Sequence, residues 1–251
     1  MEWRGGTRVI DAKGVYYKEL NRQIRAAIAE GATELELINV NGQRYIGDGL
    51  QGKITITING VPGQDLCAFM NGPTIIARSN AQDGVANTMN DGKILIYGNA
   101  GDLLGYGMRG GKMFIRGSAG YRVGIHMKSF QAKIPIVVIG GTAGDFLGEY
   151  MAGGILILLG LDAQEGTPLV GDYIGTGIHG GVIFIRGEVD THQVGFGGTV
   201  SEIDDFDKDV LRRYLAEYCD DFNLDLEEIM GKKFSKLTPI SSRPYASMFT
   251  H

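Results

Sequence analysis

Residues 101–117 read GDLLGYGMRGGKMFIRG, residues 144–160 read GDFLGEYMAGGILILLG, and residues 171–187 read GDYIGTGIHGGVIFIRG. The three windows share Gly-Asp at the start, Gly four residues on, Met or Ile at the eighth place, a Gly pair, a largely apolar run and a closing Gly. Taking the Gly before each apolar run as an anchor extends the series to Gly52, Gly72, Gly92, Gly111, Gly154 and Gly181, with Ala132 in the anchor place of a degenerate copy before KIPIVV. The anchors are 20, 20, 19, 21, 22 and 27 residues apart. A near-constant period of this length marks a stacked repeat architecture. Each anchor opens a short run rich in Ile, Val and Phe, residues suited to a pleated strand.

A βαβ unit needs about 30 residues, so this period is too short for one. It suits one coil of a parallel β-helix, with two or three short strands joined by tight corners. Corners account for the glycine content, 40 of 251 residues, roughly twice the usual 7%. The recurring Gly52, Gly72, Gly92, Gly101, Gly105, Gly111, Gly144, Gly148, Gly154, Gly171, Gly175 and Gly181 are therefore read as structural. Met89, Met108, Met151 and Ile178 fall at the same place in successive copies and predict an inward ladder. At about 4.8 Å per coil, about seven coils make a rod of roughly 34 Å. The fold expected is an all-β-dominated, right-handed parallel β-helix over residues 47–200. Residues 1–46 form an α/β N-terminal cap, and residues 201–251 form a helical C-terminal cap with an extended tail. In the first segment Leu20, Ile24, Ala27 and Ile28 share a helical face before the alternating strand ELELI. In the last, residues 205–222 carry the stripe Val210, Leu211, Tyr214, Leu215 and Tyr218. The stretch from Lys233 to His251 has no periodicity. Both flanks are expected to cover the open ends of the stack, which would otherwise be free sheet edges.

A net charge of −5 argues against a nucleic-acid surface, which wants a basic stripe. Two cysteines, Cys67 and Cys219, make neither a disulfide framework nor a metal or Fe–S site by themselves. The opening MEWRGGTRVIDAKG lacks an apolar signal core, and no 18-residue apolar run occurs, so a cytoplasmic protein without membrane contact is expected.

Gly105-Tyr-Gly107-Met-Arg-Gly110 and Gly175-Thr-Gly177-Ile-His-Gly180 match G-x-G-x-x-G. A dinucleotide site needs a strand before this motif and a helix after it. Here a strand follows, in register with the repeat, so corner glycines are the better reading. Asp83, Asp102, Asp145 and Asp172 each lie nine residues before an anchor and form a column on one face. Such a column could bind a cation or flank a saccharide, but stacked carboxylates repel by roughly 0.8 kcal/mol per pair at 5 Å in water. Capping of each Asp's own turn is the expected resolution. His126, His179, His192 and His251 have no metal-site or catalytic spacing. Arg116 and Arg186, at the same place in two copies, are solvated or form a docking patch.

The staggered glycines (Gly101, Gly105, Gly107, Gly110-Gly111; Gly171, Gly175, Gly177, Gly180-Gly181) resemble the GXGXG-repeat β-helix family. That family includes the C-terminal domain of the glutamate synthase large subunit, also found free-standing, and one of the subunits of formylmethanofuran dehydrogenase. It also includes a methylglutamate synthase subunit. The flanks VIDAKG…NRQIRAAIAEG and SSRPYASMF look most like the free-standing glutamate synthase type. The resemblance implies a structural subunit of an oxidoreductase complex with no catalytic, cofactor or metal residues of its own. Its partners would be a glutaminase-like subunit and a synthase-like subunit that holds FMN and Fe–S. Equivalent subunits of the other two complexes are near alternatives. An independent carbohydrate-active β-helix enzyme using the Asp column is an alternative of another class, and side-by-side pairing into a homo-oligomer is a further option.

Overall fold

The computed structural model describes residues 2–164 and 166–241. Each repeat contributes one strand: β4 (Thr55–Val61), β5 (Asn71–Ala77), β6 (Asp91–Ile96), β7 (Lys112–Ile115), β8 (Ile136–Ile139), β9 (Ala152–Leu158) and β10 (Gly180–Arg186). They stack in parallel, with Ile56, Ile75, Ile94, Met113, Val137, Leu156 and Ile183 directly above one another. All seven are completely buried. Successive strand residues face opposite ways, so the next inward position forms a second ladder of Ile58, Ala77, Ile96, Ile115, Ile139, Leu158 and Ile185. The fold is thus a parallel β-helix.

The other half of each coil is not a second strand, as the repeat alone suggested. It is a run of alternating left-handed residues: Leu103, Gly105 and Gly107 in one coil, Arg122, Gly124 and His126 in the next, Phe146, Gly148 and Tyr150 in the third. The alternation aims peptide groups up and down the stack by turns. Leu103 and Gly107 donate to Tyr121 and Ile125 of the next coil (2.9 Å each), while Gly105 and Arg109 donate to Val85 and Met89 of the previous one (2.8 Å each).

The degenerate coil differs from expectation in register. Lys112 pairs with Ile136, and Ile136 with Ile155, so Pro135 and not Ala132 precedes the strand. The surplus residues leave the rod as a small excursion in which Phe130 and Lys133 exchange backbone hydrogen bonds of 3.0 Å. Proline is tolerated at the start of a strand, where no ladder donor is required.

At the N-terminal end β2 (Thr7–Asp11) and β3 (Glu34–Asn41) join the same sheet in parallel, connected by α1 (Tyr17–Ala29), and β1 (Glu2–Arg4) adds antiparallel to β2. Leu20, Ile24 and Ala27 of α1 are buried. Asn21 and Arg25 donate to the carbonyls of Arg44 and Asp48 in the first coil, which satisfies acceptors that have no coil beyond them.

The C-terminal segment departs from the expected helical end cap. The helix α2 (Asp205–Phe222) lies across the outer face of the sheet, not over its end. Its Leu211, Leu215, Tyr218 and Phe222 cluster with Leu95, Phe114, Val138, Ile157 and Phe184, the outward residues of β6–β10. Those strands are covered on both sides, so they read as continuous apolar runs, whereas TITI in β4 alternates. Asp204 and Asp207 form a reciprocal capping box at the start of α2, and Asn223 closes it in a left-handed conformation. A short helix α3 (Leu226–Met230) follows. The stretch expected to be an extended tail instead forms β12 (Phe234–Pro239), which runs antiparallel between β10 and β11 (Gly198–Glu202). Phe234 and Leu237 are buried there. This strand pair, with a 3₁₀ turn at Thr191–Gln193, closes the second end. The part of the tail from residue 242 onward lies outside the described residues.

Candidate functional site

The four aspartates come together as a column along one border of the left-handed runs. Their geometry is coil-to-coil. Asp83 accepts from the backbone N–H of Asp102 (3.0 Å), Asp102 from that of Tyr121 (2.9 Å), and Asp145 from that of Asp172 (2.9 Å). The capped N–H therefore belongs to the following coil, not to the Asp's own turn. One coil rise of about 4.8 Å matches the reach of an Asp side chain. Asp172 stands at the exposed end of the column.

This geometry explains the Gly of two Gly-Asp pairs, Gly101 and Gly171, whereas Gly144 faces the Gly120 backbone and the Tyr121 ring. Gly101 has an ordinary negative φ, but a Cβ there would collide with the Asp83 carboxylate. The anchors Gly52, Gly72, Gly92, Gly111, Gly154 and Gly181 adopt positive φ, as do Gly105, Gly148 and Gly175, while Gly101, Gly144 and Gly171 do not.

A second polar ladder was not foreseen. Asn80 accepts from the N–H of Asn99 (2.8 Å), Asn99 from that of Ser118 (2.8 Å), and Ser118 from that of Thr142 (3.0 Å). The 19-residue spacing of Asn80, Asn99 and Ser118 was the available signal. The inward Met ladder is also longer than expected, running through Met70, Met89, Met108, Met127, Met151 and Ile178, all buried.

The remaining candidates disperse. His126 stacks on Tyr150 (5.3 Å between centroids, 11° between planes). His179 Nδ1 lies 3.2 Å from the Gly177 carbonyl, and His192 is in the terminal 3₁₀ turn. His251 lies outside the described residues. Arg116 pairs with Asp162 (2.8 Å) and Arg186 donates to the Leu159 carbonyl (2.7 Å), so both arginines engage the 159–162 segment of this chain. Both cysteine side chains are buried, and burial pushes the Cys67 thiol well above its ordinary value and that of Cys219 up to about 11. They do not fit an Fe–S cluster, which needs several accessible thiolates. Among the described residues no group of three or more His, Cys, Asp or Glu could hold a metal ion, and no helix is long and apolar enough to cross a membrane.

A cluster of charges lies where α2 meets the rod. Lys93 bridges Glu217 (2.9 Å) and Asp221 (2.5 Å), and Lys112 pairs with Glu217. A groove of about 470 Å³ runs beside them, with Lys133 and Arg213 on its wall. Burial acts to raise the Glu217 pKa, but the hydrogen bonds from Lys112 and Lys93 overcome it and hold the carboxyl below its ordinary range. Lys93 and Lys112 are paired with the α2 carboxylates Glu217 and Asp221, which pins the helix to the sheet, and Lys133 is paired with Asp91.

A parallel β-helix whose coils close through alternating left-handed residues, glycines among them, defines a class, and the sequence comparison agrees. Residues 17–240 match the GXGXG motif family, and the chain belongs to that family. It is 49% identical to the uncharacterized protein MJ1350 of Methanocaldococcus jannaschii, over 96% of each chain. Its fold is similar to that of a chain in the crystal structure of the formyltransferase/hydrolase complex FhcABCD from Methylorubrum extorquens with methylofuran. The TM-score is 0.60 at 21% identity, covering 78% of this chain and 69% of the other.

Proposed function

We propose that this chain is a non-catalytic scaffold subunit of a glutamate synthase-like complex. It would hold a glutaminase-like subunit and an FMN/Fe–S synthase-like subunit so that ammonia released from glutamine passes directly to the flavin site, where 2-oxoglutarate is aminated. FMN and the cluster belong to the partners in this reading. The observation that carries it is the engagement of the repeated side chains: Asp83, Asp102 and Asp145, the residues best placed for chemistry, accept backbone N–H groups of the next coil. A column built this way makes a rigid rod, which suits a spacer.

The test is co-expression with the candidate partner chains. A stoichiometric complex with flavin and iron, in which glutamine-dependent synthesis requires this chain, supports the proposal. Glutaminase or glutamate synthase activity in the isolated chain overturns it. The second reading is an equivalent subunit of a formylmethanofuran dehydrogenase or methylglutamate synthase complex; the fold shared with a chain of the multi-subunit FhcABCD structure supports a place in a complex without choosing between them. The same experiment separates the two, because the co-purifying chains and their metals differ.

A further inference from the structure

The left-handed face of the rod carries exposed aromatic side chains in stacked columns. Tyr106, Tyr121, Tyr150 and Tyr173 are 41%, 53%, 45% and 55% exposed, and Leu103 is 40% exposed. Exposed His126 lies edge-on to Tyr106 and face-on to Tyr150, and Phe146 stacks on Tyr173 (4.9 Å, 13°). Arg122 caps the second stack, 4.5 Å above the Phe146 ring, and pairs with Glu149 (2.9 Å). These contacts hold the rings in place before any partner arrives, so little side-chain entropy is lost on contact. Tyr, Phe and Arg dominate the face, as in an interface core; Glu149 is buried and paired to Arg122, and a contiguous exposed apolar patch marks an interaction site.

The borders of this face decide what fits it. Within each coil the chain runs from the acidic column across the aromatic columns to the residue after the Met ladder. That residue is Arg109, Lys128 or His179 in three of the coils. One border is therefore acidic (Asp83, Asp102, Asp145, Asp172) and the opposite one is basic. A second copy rotated by a two-fold axis parallel to the stack sets the acidic border of one rod against the basic border of the other. An axis perpendicular to the stack within the face sets acid against acid. We propose that two copies of this chain pair face to face, rods parallel, through the aromatic columns, with the axis passing near Tyr106. A C₂ contact of this kind is self-complementary by construction.

The test uses the full chain. Sedimentation equilibrium is expected to give twice the monomer mass of 27.1 kDa, with association weakening as salt screens the borders. Tyr150→Glu with Tyr173→Glu is expected to weaken association at least about tenfold, with an unchanged circular dichroism spectrum, because both side chains are exposed. Tyr106→Cys is expected to form a reducible dimer under mild oxidation, since a residue near the axis faces its own copy; the native cysteines are buried and do not compete. A wild-type monomer, a dimer indifferent to the double substitution, or a dimer that Tyr106→Cys does not cross-link each overturns the proposal, and the first would assign the face to a different chain.

Discussion

The thioether methyl of Met89 lies 2.6 Å from where a Cβ on Gly111 would sit. The anchor glycine of one coil is thus the socket for the Met of the coil before it. Met70 and Gly92, Met127 and Gly154, and Met151 and Gly181 repeat the relationship. The two most regular features of the sequence are one packing contact, seen from both sides.

Gly111→Ala is therefore expected to destabilise the chain by about 2–4 kcal/mol, combining a left-handed backbone with overpacking. Met89 can move its flexible end, but the Gly92 carbonyl, 2.7 Å from the new atom, is backbone. Gly52→Ala, where nothing lies within 4 Å and only φ is strained, should cost less. Chemical denaturation of both variants measures the difference.

Asp102→Ala removes the acceptor for the Tyr121 N–H and should cost about 1–2 kcal/mol, as other side-chain caps do. Asp102→Asn should cost less, because the neighbouring ladder already uses amide oxygens on Asn80 and Asn99 for the same bond. Thermal unfolding reads both. A ligand-binding column predicts a different pattern: stability kept in both variants and binding lost.

Tyr218 fixes α2 to the rod by packing against Phe114 and Phe222 and donating to the Ile115 carbonyl at 3.1 Å. Tyr218→Phe should cost only about 1 kcal/mol, since Gly140 also donates to that carbonyl. Tyr218→Ala should cost about 3–5 kcal/mol. Hydrogen exchange in the alanine variant should accelerate in α2 before it does in β6–β9.

Acid should loosen the same dock. Glu217 has a folded pKa below its unfolded value, so its contribution is present above about 4.3 and is lost as pH falls through the folded value. Burial acts to lower the Lys93 pKa, but Asp221 and Glu217 raise it overall; its contribution is full below about 10.4 and is lost as pH rises past the folded value. Stability measured by urea unfolding should fall from about pH 5 to about pH 3. Glu217→Gln should flatten that limb.

The β-helix was legible because its period is local. One anchor glycine, one Met and one alternating strand recur within each coil, so register between copies is written along the chain. The Asp column was legible as a column for the same reason. Its bonding was misread because a cap within one turn and a cap onto the next coil have the same sequence signature; only the coil rise distinguishes them. Ala132 was misplaced because the excursion at Phe130–Lys133 hides inside an otherwise acceptable spacing.

By itself, the sequence determined the repeat, the inward ladders and the α1–β3 cap, since these depend on neighbours in the chain or on a constant period. The tertiary structure decided where α2 lies, that Phe234–Pro239 pairs as a strand, and that aromatic side chains from separate coils line one exposed face. Those outcomes depend on contacts that no constant period in the chain encodes, as when Tyr218 meets Ile115, 103 residues away. An amphipathic stripe states that a face must be buried, but not against which surface.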